Sequence, residues 1–151
     1  MDFAGAVHAA AQRVLDVGGA TGTGDRDEVA ACRDEIAAGR EQRRDRLDEA
    51  IELVRKALVA EPDNGAFLDS LGWAYYRKGD LGEAERYLGQ AATRLPRNSE
   101  VQDHLGDVLA KRGRLPDAVD AWTRALEGDG TDIDRAEIQK KIDDARTKLR
   151  R

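Results

Sequence analysis

The sequence predicts an all-α protein, and the repeat and resemblance given below imply a short right-handed solenoid of helix-turn-helix units closed by a C-terminal capping helix. Three observations carry the all-α expectation. Ala, Leu, Arg and Glu, all strong helix formers, supply most of the 151 residues. Aromatics make up only 5%, too few for an aromatic-rich sandwich or barrel. The three prolines, Pro62, Pro96 and Pro116, stand far apart, where connections between helices would fall.

The elements follow in order. Phe3, Val7, Ala10, Ala11 and Val14 recur at helical spacing after Asp2, so residues 2–17 read as an amphipathic N-terminal helix. Gly18-Gly19-Ala20-Thr21-Gly22-Thr23-Gly24 has no side chain large enough to pack and reads as a linker. Asp25 with Glu28 resembles a capping box opening a polar helix to about Arg43, whose apolar stripe is thin: Val29, Cys32 and Ile36. A further helix is expected from Leu47, with Ala50, Ile51, Val54, Ala57 and Leu58 on one face, until Pro62 forbids more. Residues 25–64 together form a degenerate first unit.

Asp63 or Asn64 then restarts the chain, and helices are predicted at about 65–78, 81–94, 99–112, 116–127 and 133–150, punctuated by Gly79, Pro96, Gly113 and Gly128/Gly130. Asp80 with Glu83, Ser99 with Gln102, and Pro116 in a first turn supply start signals. The complete units are 65–98 and 99–132, and residues 133–151 form the solvating cap.

The units repeat. Leu71-Gly72 recurs as Leu105-Gly106, and Ala84 and Ala91 recur as Ala118 and Ala125, each at a separation of 34 residues. The same step backwards takes Ala84 to Ala50, Ala91 to Ala57 and Pro96 to Pro62. The central copy reads Leu68-x2-Leu71-Gly72-x2-Tyr75, then Ala84-x3-Leu88, then Pro96; the next reads Gln102-x2-Leu105-Gly106-x2-Leu109, then Ala118-x3-Trp122. This resembles the tetratricopeptide-repeat family, whose pattern is W-x2-L-G-x2-Y, A-x3-F, P. The wording from Leu68 to Tyr75 and from His104 to Asp107 is similar to the C-terminal repeats of larger bacterial members. The likeness covers about 47–150 and fails upstream, where the step back from Leu71-Gly72 lands on Ala37-Ala38. With two full copies and one partial one, against about three needed for a continuous core, marginal stability or self-association is expected.

Composition excludes several functions. The net charge of -5 and the breaking of the densest basic stretch, Arg40 to Arg46, by Glu41 and Asp45 argue against nucleic acid as a partner. No apolar run is long enough to span a bilayer, and the start, Met1-Asp2-Phe3-Ala4, lacks the basic residue and apolar core of a secretory signal, so a cytoplasmic location is the default expectation. A periplasmic or membrane-associated place would follow if the sequence is part of a larger exported chain. One cysteine, Cys32, allows neither an internal disulfide nor a Cys-based metal site.

Candidate chemistry is sparse. The run from Val14 through Asp16 to Gly22 resembles the first motif of S-adenosylmethionine-dependent methyltransferases, but its middle glycine is Ala20 and no alternating strands follow; a helix followed by a linker is the plainer reading. Asp103, His104 and Asp107 could offer metal ligands, yet no second pair completes a shell, and solvated polar groups account for them better. His8 stands alone. Cys32 and the two histidines lie in unrelated segments, so no nucleophile with its base is suggested. Neither a cofactor nor catalysis is expected.

Tyr75 and Trp122 fall on packing positions and are expected in the core. Trp73 is one step off them, on the side that in the family lines a concave groove. The same helical face carries Asp69, Trp73, Tyr76 and Arg77 from one unit and Asp103, His104, Asp107 and Lys111 from the next. The resemblance implies a non-catalytic interaction module whose groove holds a peptide of a partner protein. The acidic surplus among these eight residues points to a partner segment carrying Lys or Arg beside an apolar anchor. Two alternatives stand beside it: a structural array docking on a parent chain or on itself, and a nucleotide-binding role for residues 16–22.

Overall fold

The computed structural model describes residues 26–151, with side chains from Arg43 onward. The expected N-terminal helix, the Gly-rich segment with its methyltransferase-like motif, His8 and the Asp25 cap therefore lie outside the described residues. Six helices follow in order: α1 (Arg26–Ala60), α2 (Gly65–Lys78), α3 (Leu81–Arg94), α4 (Ser99–Lys111), α5 (Leu115–Glu127) and α6 (Arg135–Leu149). Each packs mainly on its neighbours in sequence, and α2 also touches α4, so α2/α3 and α4/α5 form paired units stacked side by side.

The first unit departs from expectation. Where two helices were expected on either side of residues 43–47, α1 runs unbroken for 35 residues. The reason is local: Glu41-Gln42-Arg43-Arg44-Asp45-Arg46 contains no Pro or Gly, and nothing interrupts the backbone ladder. The first unit thus has a second helix, in the stretch 47–60, and no antiparallel first helix among the described residues.

Elsewhere the ends are set by the expected residues with one change. Asn64 caps α2 through its side chain, accepting from the N–H groups of Ala66 and Phe67, and Asn98, one repeat later, accepts from Val101. Ser99, expected as the cap of α4, is instead its first residue and is wholly buried, while Gln102 donates back to the Pro96 carbonyl. Asp80 and Asp134 cap α3 and α6 by accepting from the N–H groups of Glu83 and Glu137. Gly79 and Gly113, also one repeat apart, end α2 and follow α4 at φ of 92° and 80°, a left-handed backbone that side chains disfavour.

Close helix crossings build the core. A Cβ added at Gly72 would lie 2.6 Å from Leu88 Cγ and 3.2 Å from the Ala84 carbonyl oxygen; at Gly106 it would lie 2.4 Å from Trp122 Nε1. The repeated glycine lets α2 approach α3, and α4 approach α5, to a distance no other residue permits, and Leu88 and Trp122 fill the space beside it. One cluster joins Ile51 and Val54 of α1 to Phe67, Leu71, Tyr75, Leu88 and Val108. A second joins Leu109, Ala118 and Trp122 to Ile138, Ile142 and Ala145 of α6. Tyr75 and Trp122 are buried as expected.

The units also exchange sizes. Gly65, at the start of α2, packs under Leu95, whereas its counterpart Ser99 is accommodated because Gly128 and Gly130 stand in the following loop. Ion pairs across the same junctions show a parallel reversal: Arg94 with Asp63 in one unit, Arg97 with Asp129 in the next.

Candidate functional site

The face carrying the expected groove residues is formed by α2, α4 and α6. At its centre Asp69, buried in α2, meets His104 of α4, with carboxylate Oδ1 3.0 Å from ring Nδ1. Burial disfavours a charged ring here, but the Asp69 charge and hydrogen bond, aided by Glu100 and Asp103, outweigh it and raise the His104 pKa above its ordinary value.

Trp73 lies one helical turn beyond Asp69 and forms the middle of an aromatic stack. Its ring centroid is 4.0 Å from that of His104 at 16° between planes, and 4.7 Å from that of Tyr76 at 14°. Lys111 extends the array, with Nζ 5.7 Å from the Tyr76 ring centre. Burial and the nearby Asp107 raise the Tyr76 pKa. Arg77, exposed at the end of α2, acts on Tyr76 in the opposite sense. Asp69, Trp73, Tyr76, His104 and Lys111 thus form one continuous contact path. Trp73 is less open than its sequence position indicates: it is partly buried, and its indole N–H is enclosed without an acceptor.

Asp103 and Asp107 form a second group around a residue that sequence reasoning missed. Lys141 of α6 donates to both, at 2.9 and 2.8 Å, and Trp122 Nε1 donates to Asp107 at 3.1 Å. Burial pushes the Asp103 carboxyl up, against the downward pull of the Lys141 hydrogen bond. For Lys141, burial lowers the pKa, but the hydrogen bonds to Asp107 and Asp103 prevail and raise it.

These pairings correct the expected charge of the face. Asp69 is engaged by His104, and Asp103 and Asp107 share the one ammonium of Lys141, so none of the three carboxylates is free and the acidic field is smaller than their number implies. The signal for Lys141 was present: it lies one 34-residue step beyond Asp107, as Asp107 does beyond Trp73. Taking the last helix only as a solvating cap hid it. The metal reading of Asp103, His104 and Asp107 gains nothing, since the histidine turns to Asp69 and the two carboxylates to Lys141. Among the described residues no group of three or more His, Cys, Asp or Glu could hold an ion. No described helix is long and apolar enough to cross a membrane.

Paired antiparallel helices, the 34-residue step and the Gly-against-Leu or Gly-against-Trp crossing define a helical-repeat scaffold. Residues 37–100 and 70–133 match the tetratricopeptide repeat, and the chain belongs to that family. It is 53% identical over 62 residues to the TPR repeat-containing protein PA4667 of Pseudomonas aeruginosa, a match covering 41% of this chain and 10% of that protein. It is 30% identical over 83 residues to the TPR repeat-containing protein MJ1428 of Methanocaldococcus jannaschii, covering 55% of this chain and 14% of that one. The matches therefore span only 10 to 14% of these relatives' length.

Solved structures share the fold. The first TPR of Spaghetti (RPAP3), bound to an HSP90 peptide, superposes with a TM-score of 0.64 at 19% identity, covering 75% of this chain and 87% of that one. The type III secretion translocator chaperone SycD of Yersinia enterocolitica superposes at 0.65 with 14% identity, covering 88% and 98%.

Proposed function

We propose that the chain is a non-catalytic protein-interaction module that holds a peptide segment of a partner across α2, α4 and α6. The observation that carries this reading is the aromatic stack of Trp73, Tyr76 and His104: Trp73 and Tyr76 are partly open, and the buried His104 ring fixes the indole from the next unit. Rigid aromatic surface at the centre of a polar face suits an apolar side chain of a ligand, because little ordering entropy is lost on contact. Lys111 and Arg77 border the stack, while Asp103 and Asp107 are tied to Lys141. The ligand is therefore an extended or helical segment chosen by its apolar anchor first and by charge second. Peptide binding by the RPAP3 repeat, a structural neighbour, agrees with this use of the fold.

The test is a peptide-array screen followed by titration of the best sequences. Hits sharing an apolar or aromatic residue, with affinity reduced at least about 30-fold by Trp73→Ala, the loss of about 2 kcal/mol expected of a central aromatic, support the proposal. Hits without such an anchor, or full binding by Trp73→Ala, sink it.

A further inference from the structure

Among the described residues three large apolar side chains are exposed, and two of them stand at opposite ends of the stack in opposite electrostatic surroundings. Leu53 of α1 is 45% exposed, in a shallow, open depression that it lines together with Asp45, Asp48, Glu49, Glu52 and Lys56. Leu149 of α6 is 50% exposed, between Lys148 and Arg150 and close in sequence to Arg146 and Arg151, all four of them exposed. One leucine stands among acids, the other among bases.

Each exposure has a local cause. Leu53 holds the place that Ala121 holds two repeats later, where that residue is 1% exposed; among the described residues α1 has no antiparallel first helix to cover it. Leu149 continues at helical spacing the buried stripe of Ile138, Ile142 and Ala145, but it is the last residue of α6, where the cover given by the neighbouring helix runs out. The surrounding charges are also incompletely satisfied. Asp48 pairs with Lys78 and Glu52 with Arg55, whereas Asp45 and Glu49 make no side-chain hydrogen bond or ion pair among the described residues. Nor do Arg146, Lys148, Arg150 and Arg151. Each cluster therefore repels itself and attracts the other.

The two clusters do not meet within one chain, since α1 packs on α2 and α6 on α5, with the paired units between them. A second copy supplies the missing contact. We infer that the C-terminal end of α6 in one copy docks in the α1 depression of another, Leu149 against Leu53, with the bases of α6 facing the acids of α1. Such a contact joins two different surfaces, so every added copy leaves one α1 depression and one α6 end unused, and association runs head to tail instead of closing at a dimer. One helix end against one helix flank buries less than the roughly 1,200 Å² of stable complexes, so the association is weak and leans on charge.

The experiment is sedimentation velocity of the full chain under reducing conditions, over a concentration series at low and at high salt. The average mass should rise past that of a dimer at low salt and fall towards the monomer at high salt, where exposed charges are screened. Leu53→Lys and Leu149→Glu each set a charge of the wrong sign against the opposing cluster and should weaken association at least about tenfold. Both positions are exposed, and circular dichroism checks that the fold is kept. Mixed in equal amounts, the two variants should form a heterodimer and nothing longer, because the mixture holds one intact α6 end and one intact α1 depression per pair. A native chain that stays monomeric at every concentration in low salt, growth that stops at a dimer, or a mixture that stays monomeric would overturn the inference. So would association that survives both variants but is lost in Trp73→Ala, which would place the contact in the groove.

Discussion

The His104 ring stands between two partners of different kinds: the Asp69 carboxylate 3.0 Å from its Nδ1 and the Trp73 indole stacked with its centroid 4.0 Å away. Both partners come from α2, so the protonation state of one ring on α4 bears on how firmly the two units are joined. Because the folded pKa is raised above the ordinary value of 6.5, the stabilisation is fully present below that value and is lost as pH rises through the folded pKa. Thermal unfolding should therefore show the native chain losing stability from mildly acidic to mildly basic pH relative to His104→Gln, the gap between them narrowing as pH rises. A gap independent of pH would mean that the ring is neutral throughout.

Lys141 holds two carboxylates that are themselves largely covered. Lys141→Met should cost about 1–3 kcal/mol at neutral pH, the penalty for leaving buried charged acceptors unpaired. The loss should shrink as the solution is acidified, because protonating Asp103, whose carboxyl burial already pushes up, relieves it. Denaturant unfolding at two pH values measures this directly. The same substitution should convert the face to a net acidic one, so peptide binding that is only weakly salt-dependent in the native protein should become salt-sensitive and favour basic ligands.

Gly106 and Gly89 make a matched pair for testing the crossings. A methyl group at Gly106 would meet the Trp122 ring at 2.4 and 2.5 Å, while at Gly89 it would meet nothing within 4 Å. Gly106→Ala should destabilise by about 1–3 kcal/mol through overpacking, partly offset by better helix propensity. Gly89→Ala should stabilise by roughly 0.5–1 kcal/mol, since only the backbone term operates. Equal effects at both sites would show that the close approach is not what the glycine provides.

Leu88 is fully buried against Gly72 and belongs to the cluster that joins α1 to α4. Leu88→Ala should cost about 2–5 kcal/mol. A loss below about 0.5 kcal/mol, in the surface range, would contradict the packing described.

Much of this arrangement was readable in the residue order because a repeat presents the same physics more than once. The boundaries at Lys78, Leu81 and Arg94 follow from Gly79, Asp80 and Pro96, each a local signal whose effect does not depend on distant partners. The continuity of α1 was not legible in the same way: the repeat demanded a turn near residue 44, the local sequence offered none, and local propensity prevailed. For the face, spacing alone grouped residues that share one side of α2 and of α4, since i, i+3 and i+4 neighbours share a side of a helix whatever the tertiary structure. What spacing could not give was pairing between helices. Asp69 with His104 and Asp103 with Lys141 join side chains 35 and 38 residues apart, and which acid takes which base depends on how one helix is turned against the next.

Trp73, Asp107 and Lys141 occupy the same place in successive units, so this face carries an aromatic ring, an acid and a base at regular intervals across α2, α4 and α6. On the proposed reading, a segment anchored on Trp73 must pass Asp107 of α4 before it comes level with Lys141 of α6, so the scaffold would measure the length of a ligand as well as grip it, and a segment too short to cross α4 would leave the α6 end of the face in water.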